Sequence, residues 1–107
     1  MNTANLQLEG VYVAMTALMA ALRDSGVLGR DDIDRALGRA EAALMADSRR
    51  PAQLSAANVE AICFPLRYLR IANEAAADDQ PLSFSELAAR VAQRKNGREA
   101  GAGGAGR

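Results

Sequence analysis

Arg67, Arg70, Asn73 and Glu74 recur at helical spacing within RYLRIANE and form the most chemically capable polar group in this sequence. Arginine forks match carboxylate and phosphate geometry. Arg67, Arg70 and Asn73, with Tyr68 between them, could hold an anion, a small acidic ligand or a partner's carboxylate. The competing reading is structural. Glu74 follows Arg70 by four residues, so the two can pair along one helix, with both stems lying on apolar surface.

Other chemistry has little material. The chain has no His and one Cys, Cys63. One thiol cannot build a zinc site, and a Ser or Cys nucleophile without His lacks its usual base. Asp31, Asp32 and Asp34 lack the spacing of a calcium loop and read as acids at the positive end of a helix dipole. Gly101–Gly106 matches G-x-G-x-x-G in letters. That motif cradles a pyrophosphate only between a strand and a helix, so a flexible tail is the better reading. No catalytic, metal or cofactor site is expected, and the chain reads as a non-enzyme.

Thirteen basic residues balance thirteen acidic ones, which argues against a dedicated nucleic-acid binder. Ser83–Arg90 resembles the first helix of a helix-turn-helix, but no recognition helix follows. Nonspecific phosphate contact through the basic tail remains the weaker option. The lone Cys63 suits a reducing compartment and reads as a small buried hydrophobe. The N-terminal segment has no positive start, and the apolar run Val11–Leu22 is shorter than a bilayer requires. A cytoplasmic chain with no membrane segment is the expectation.

Half the residues are hydrophobic, yet 24 of the 107 are alanine. Alanine favours helix strongly and contributes little buried area. No alternating apolar run suggests a strand. The expected fold is all-α: a small four-helix bundle or irregular helical array over residues 1–95, with a disordered Gly/Ala/Arg tail at 96–107.

Four helices should position the polar group. The first spans about Asn5–Asp24, with Leu8, Val11, Met15, Leu18 and Leu22 as its main stripe, widened on one side by Tyr12 and Met19, and Gly26 as its stop. Val13, Ala17 and Ala20 lie on its other side. Only Thr16 is polar between Val11 and Leu22, so the helix is expected to be buried all round and central to the fold. The second spans Arg30–Ala46, beside the first, with Ile33, Leu37, Ala40 and Leu44 inward and Gly38 weakening its middle. The third runs from about Ser55 to Ala77 after the loop at Arg49–Pro51. One of its stripes is Val59, Ile62, Leu66 and Leu69; the other is Phe64, Tyr68 and Ile71. Pro65 should kink or split it. After the loop at Asp78–Pro81, Ser83 and Glu86 predict a capping box, with Leu82 and Leu87 as its staple. That fourth helix should fade after Lys95.

Two stripes on the third helix and two apolar sides on the first are more than four short helices should cover. The favoured function is therefore a protein–protein interaction or assembly module, either a homodimer or the accessory subunit of a larger protein. Its candidate interface is Val13, Ala17, Ala20, Phe64, Tyr68 and Ile71. The alternative is a ligand or anion binder using Arg67, Arg70 and Asn73.

Overall fold

A computed structural model of the chain describes residues 3–46, 56–77 and 82–103, and the described elements are four α-helices. They are α1 (Thr3–Asp24), α2 (Arg30–Met45), α3 (Ala56–Ala77) and α4 (Phe84–Gly103). The all-α bundle expected from composition is what forms. The expected loops at Arg49–Pro51 and Asp78–Pro81, and tail residues 104–107, lie outside the described residues.

The helix ends follow local chemistry. Gly26 closes α1 in the left-handed region at φ 75°, and its N–H donates to the Arg23 carbonyl at 3.1 Å. The Gly29 N–H donates to the Asp32 carboxylate at 3.0 Å, so the acid in the first turn of α2 caps it from inside. At α4 the capping box forms in both directions. The Ser83 N–H donates to Glu86 Oε1 at 3.0 Å, and the Glu86 N–H donates to Ser83 Oγ at 3.1 Å. These bonds hold the exposed Glu86 carboxyl below its ordinary value. The backbone of α4 stays helical past the expected end at Lys95, as far as Gly103. Propagating an established helix adds one bond per residue and needs no new nucleus.

The central helix is α3, not α1. It packs against α2, α1 and α4, and these are the principal helix pairings. The expected pairing of α1 with α2 as close neighbours gives way to the separate docking of each on α3. Pro65 does not split α3, which is one continuous helix. Proline removes the donor to the Ala61 carbonyl, but Ala61 is exposed, where water can replace that bond.

Sequence supplies only four aromatic rings, and all four meet in one cluster. Tyr12 of α1 stacks on Tyr68 of α3 with centroids 4.9 Å apart, and on Phe84 of α4 at 5.6 Å. Phe64 closes the group at 6.2 Å from Tyr68. Met19, Ile33, Leu69, Ile71, Ala72, Leu87 and Val91 complete the core around Tyr68. Cys63 is buried in α3.

The cap of α4 presents its aliphatic and aromatic side chains, Phe84, Leu87 and Val91, to this core. Ser83→Ala is expected to lower stability by about 0.5–2 kcal/mol, because a first-turn N–H loses its acceptor. Urea denaturation reads this as a lower midpoint with unchanged slope. An unchanged midpoint would mean that the cap does not hold α4 in place.

Candidate functional site

Arg67 and Arg70 lie one turn apart on α3 and both reach the same carboxylate across the helix interface. Arg67 Nε donates to Glu41 Oε2 at 2.8 Å, and Arg70 Nη1 donates to Glu41 Oε1 at 3.2 Å. The second nitrogen of Arg67 donates to Glu60 at 2.9 Å. Arg70 also forks onto Asp34 of α2, through Nε at 2.9 Å and Nη2 at 3.3 Å. Arg70 crosses α2 at Gly38, where a Cβ would meet the guanidinium carbon in ordinary contact at 3.4 Å. The glycine that costs helix propensity thus lies where the arginine crosses α2.

The predicted pairing within α3 does not occur as read. Glu74 pairs with Arg94 of α4, and Arg70 turns to α2 instead. Asn73, fully buried, takes a bond from Arg23 of α1 at 2.6 Å and donates to the Arg30 carbonyl at 3.0 Å. It therefore ties the end of α1 and the start of α2 to α3. Among the described residues no buried side-chain N or O lacks a hydrogen-bond partner.

Arg67, Arg70 and Asn73, expected as an anion or partner contact, are thus each bonded within the chain. Two guanidinium charges face three carboxylates, Asp34, Glu41 and Glu60, so the cluster carries a net negative charge. Both forks are already filled by the protein's own acids. Sequence reasoning missed those acids because they come from another helix or lie seven residues away. Their only signal was a pair of acidic residues two turns apart on α2, Asp34 and Glu41.

Titration follows the same geometry. Burial pushes the Glu41 carboxyl up, but the bonds from Arg67 and Arg70 outweigh that and hold it below its ordinary 4.5. The Arg70 fork holds Asp34 below its ordinary 3.8, against a smaller upward push from burial. Both arginines are held above their ordinary values. For Arg67 the Glu41 and Glu60 charges overcome burial; for Arg70 the Asp34 bond leads.

The candidate interface divides. Tyr68 and Ile71 are each 2% exposed and belong to the chain's own core, with half-buried Phe64 packed against them. Their cover comes from α1 and α4, so the second stripe of α3 needs no partner. On α1, Val13 and Ala17 are exposed and Ala20 is half-buried.

The larger departure is the main stripe of α1. It was expected to be core, yet Met19 is the buried residue of α1. Leu8, Val11, Met15, Leu18 and Leu22 are 36–58% exposed. The side that docks on α3 is instead Tyr12, Met19 and Arg23. Spacing gave no warning of this, because the 3-4-3-4 interval of the stripe is also that of an ordinary core-facing helix. At 22 residues, α1 also exceeds the run first weighed against a bilayer. By length and composition alone it is apolar enough to cross one.

Comparison with protein families, with characterised proteins and with solved structures returns no match for this chain.

Two outcomes test the ion network. Glu41→Ala is expected to destabilise by about 2–3 kcal/mol, short of a fully orphaned buried charge because Arg67 keeps Glu60 and Arg70 keeps Asp34. A change below ~0.5 kcal/mol in urea denaturation would show the network to be superficial. The depressed carboxyl values also set a pH dependence. Below their ordinary values the unfolded chain binds protons that folded Glu41 and Asp34 refuse. Stability from these groups is thus complete above about pH 5 and declines as pH falls through 4.5 and 3.8 towards the folded values. The urea midpoint of wild type should fall over this range more steeply than that of Glu41→Ala; parallel curves would remove Glu41 from the account.

Proposed function

We propose that this chain is a small helical protein–protein interaction or assembly module of the cytoplasm, acting as a homodimer or as the accessory subunit of a larger protein. The observation that carries the reading is the apolar seam of α1, exposed although the helix is docked. Contiguous exposed apolar surface marks interaction sites. Burying a Leu, Val or Met side chain is favourable by roughly 1.5–3 kcal/mol in full. Five such residues, each about half exposed, leave a substantial driving force for association. No charged residue interrupts α1 between Gly10 and Leu22, so another helix can approach without stranding a charge.

The anion-binding alternative loses its support, because the arginine forks that would bind the ligand are occupied by Asp34, Glu41 and Glu60. No second reading is carried by an observation of comparable weight.

Site-specific photocrosslinking in the source cell tests the assembly reading without assuming a partner. A photoreactive residue at Leu18 is expected to give a protein adduct of discrete mass, and one at Arg39, on the exposed side of α2, is expected to give none. Absence of a protein adduct at Leu18, or equal labelling at both positions, would sink the interaction reading.

A further inference from the structure

We propose that α1 is a detachable cover, opening from α3 as one unit about the Ser25–Gly29 joint and uncovering Tyr68 while α2, α3 and α4 stay assembled. Such an opening does not depend on what meets the outer face of α1.

The helix is lightly held. Of its 22 residues, Met19 is the buried one, and Tyr12, Thr16, Ala20 and Arg23 are half-buried. Every residue from Thr3 to Val11 is exposed. In contrast, α3 buries Tyr68, Leu69, Ile71, Ala72 and Ala75. Segments with few buried apolar contacts open at a free energy below that of global unfolding.

The other three helices keep their contacts when α1 leaves. Tyr68 and Phe84 meet directly, with centroids 5.3 Å apart, so α4 does not need the Tyr12 ring to reach α3. Leu87 and Val91 pack into the same core, and Arg94 pairs with Glu74. On the other side, α2 is held to α3 by Ile33 and by the bonds of Asp34 and Glu41 to Arg70 and Arg67.

Asn73 is built to release α1 without disturbing α2. Its Oδ1 accepts from Arg23 at 2.6 Å, and its Nδ2 donates to the Arg30 carbonyl at 3.0 Å. Opening breaks the first bond and leaves the second. The freed oxygen then meets water, which replaces a lost hydrogen bond at small net cost.

A hinge stands at the right place. Residues 25 to 29 are all exposed, and glycines lie at positions 26 and 29. Gly26 has φ 75° and open space where a Cβ would stand. A few residues at the end of an element are enough to absorb the backbone rotation of a hinge.

Hydrogen exchange of the full chain, read amide by amide by NMR, tests this. Amides from Ala14 to Leu22 are expected to share one opening, about 10-fold or more as frequent as that of Leu69–Ala75, and less sensitive to urea because it exposes less surface. Glu41→Gln separates this opening from whole-chain unfolding. It weakens α2 on α3 equally in the closed and opened forms. Exchange in α2 and α3 should therefore rise about 10-fold, while exchange in α1 stays unchanged. Three results overturn the proposal. One is exchange in α1 as slow and as urea-sensitive as in α3. Another is equal acceleration of α1 and α2 by Glu41→Gln. The third is a set of α1 amides that fray one by one without a shared opening.

Discussion

Tyr68 lies between Tyr12 and Phe84, with Phe64 beside it, and this cluster is the point on which three helices converge. A chain so rich in alanine and so poor in aromatics has few side chains able to fill the space between helices. An aromatic residue buries far more area than alanine, so the helices must go where the rings are. Because Phe64 and Tyr68 are both on α3, α3 becomes the hub. Tyr12 and Phe84 bring α1 and α4 to it.

On its other side α3 has no ring to offer, and the contact with α2 is made differently. Ile33 and Leu37 supply apolar packing, while Asp34 and Glu41 meet Arg70 and Arg67. Charges taken out of water are expensive, and their pairing repays this only when geometry and further bonds are good. Here each guanidinium reaches two carboxylates, and Glu41 accepts from both. Such a network sets the register of α2 on α3 more firmly than it adds net stability. Asn73 works in the same way at the junction of α1, α2 and α3, its buried amide satisfied by Arg23 and the Arg30 carbonyl. The polar residues with the greatest chemical capacity are thus consumed in holding the helices together.

Narrow contacts have a consequence for α1. The helix is anchored through the strip of Tyr12, Met19 and Arg23, which spans about three turns, and that strip cannot also carry its neighbours inward. Leu8, Val11, Met15, Leu18 and Leu22 lie next to it around the helix and stay in water. A broader core would have drawn them in. In a small domain the supply of covering surface runs out first, because surface is large relative to volume. The functional reading of the chain follows from that shortage.

Local chemistry alone determined a good part of this protein. Helix starts and stops are legible because capping acts over three or four residues: Ser83 with Glu86, Gly29 with Asp32, and Gly26 beyond α1. The all-α class follows from alanine content and periodicity in the same way. The burial of Cys63 followed from its type. What tertiary structure decided is which apolar face of each helix is used. Tyr68 and Ile71 read as candidate interface and Leu18 as core, yet the first two are buried and Leu18 is exposed, since a stripe's periodicity is the same whether it meets its own core or another chain. Arg67, Arg70 and Asn73 looked like a binding site because their partners, Asp34 and Glu41 on α2 and Arg23 on α1, are separated from them by 26 to 50 residues along the chain. Hydrophobic periodicity gives the direction of a face, and residue type gives the reach of a side chain. Neither gives the neighbour, which depends on how all four helices share one small set of rings.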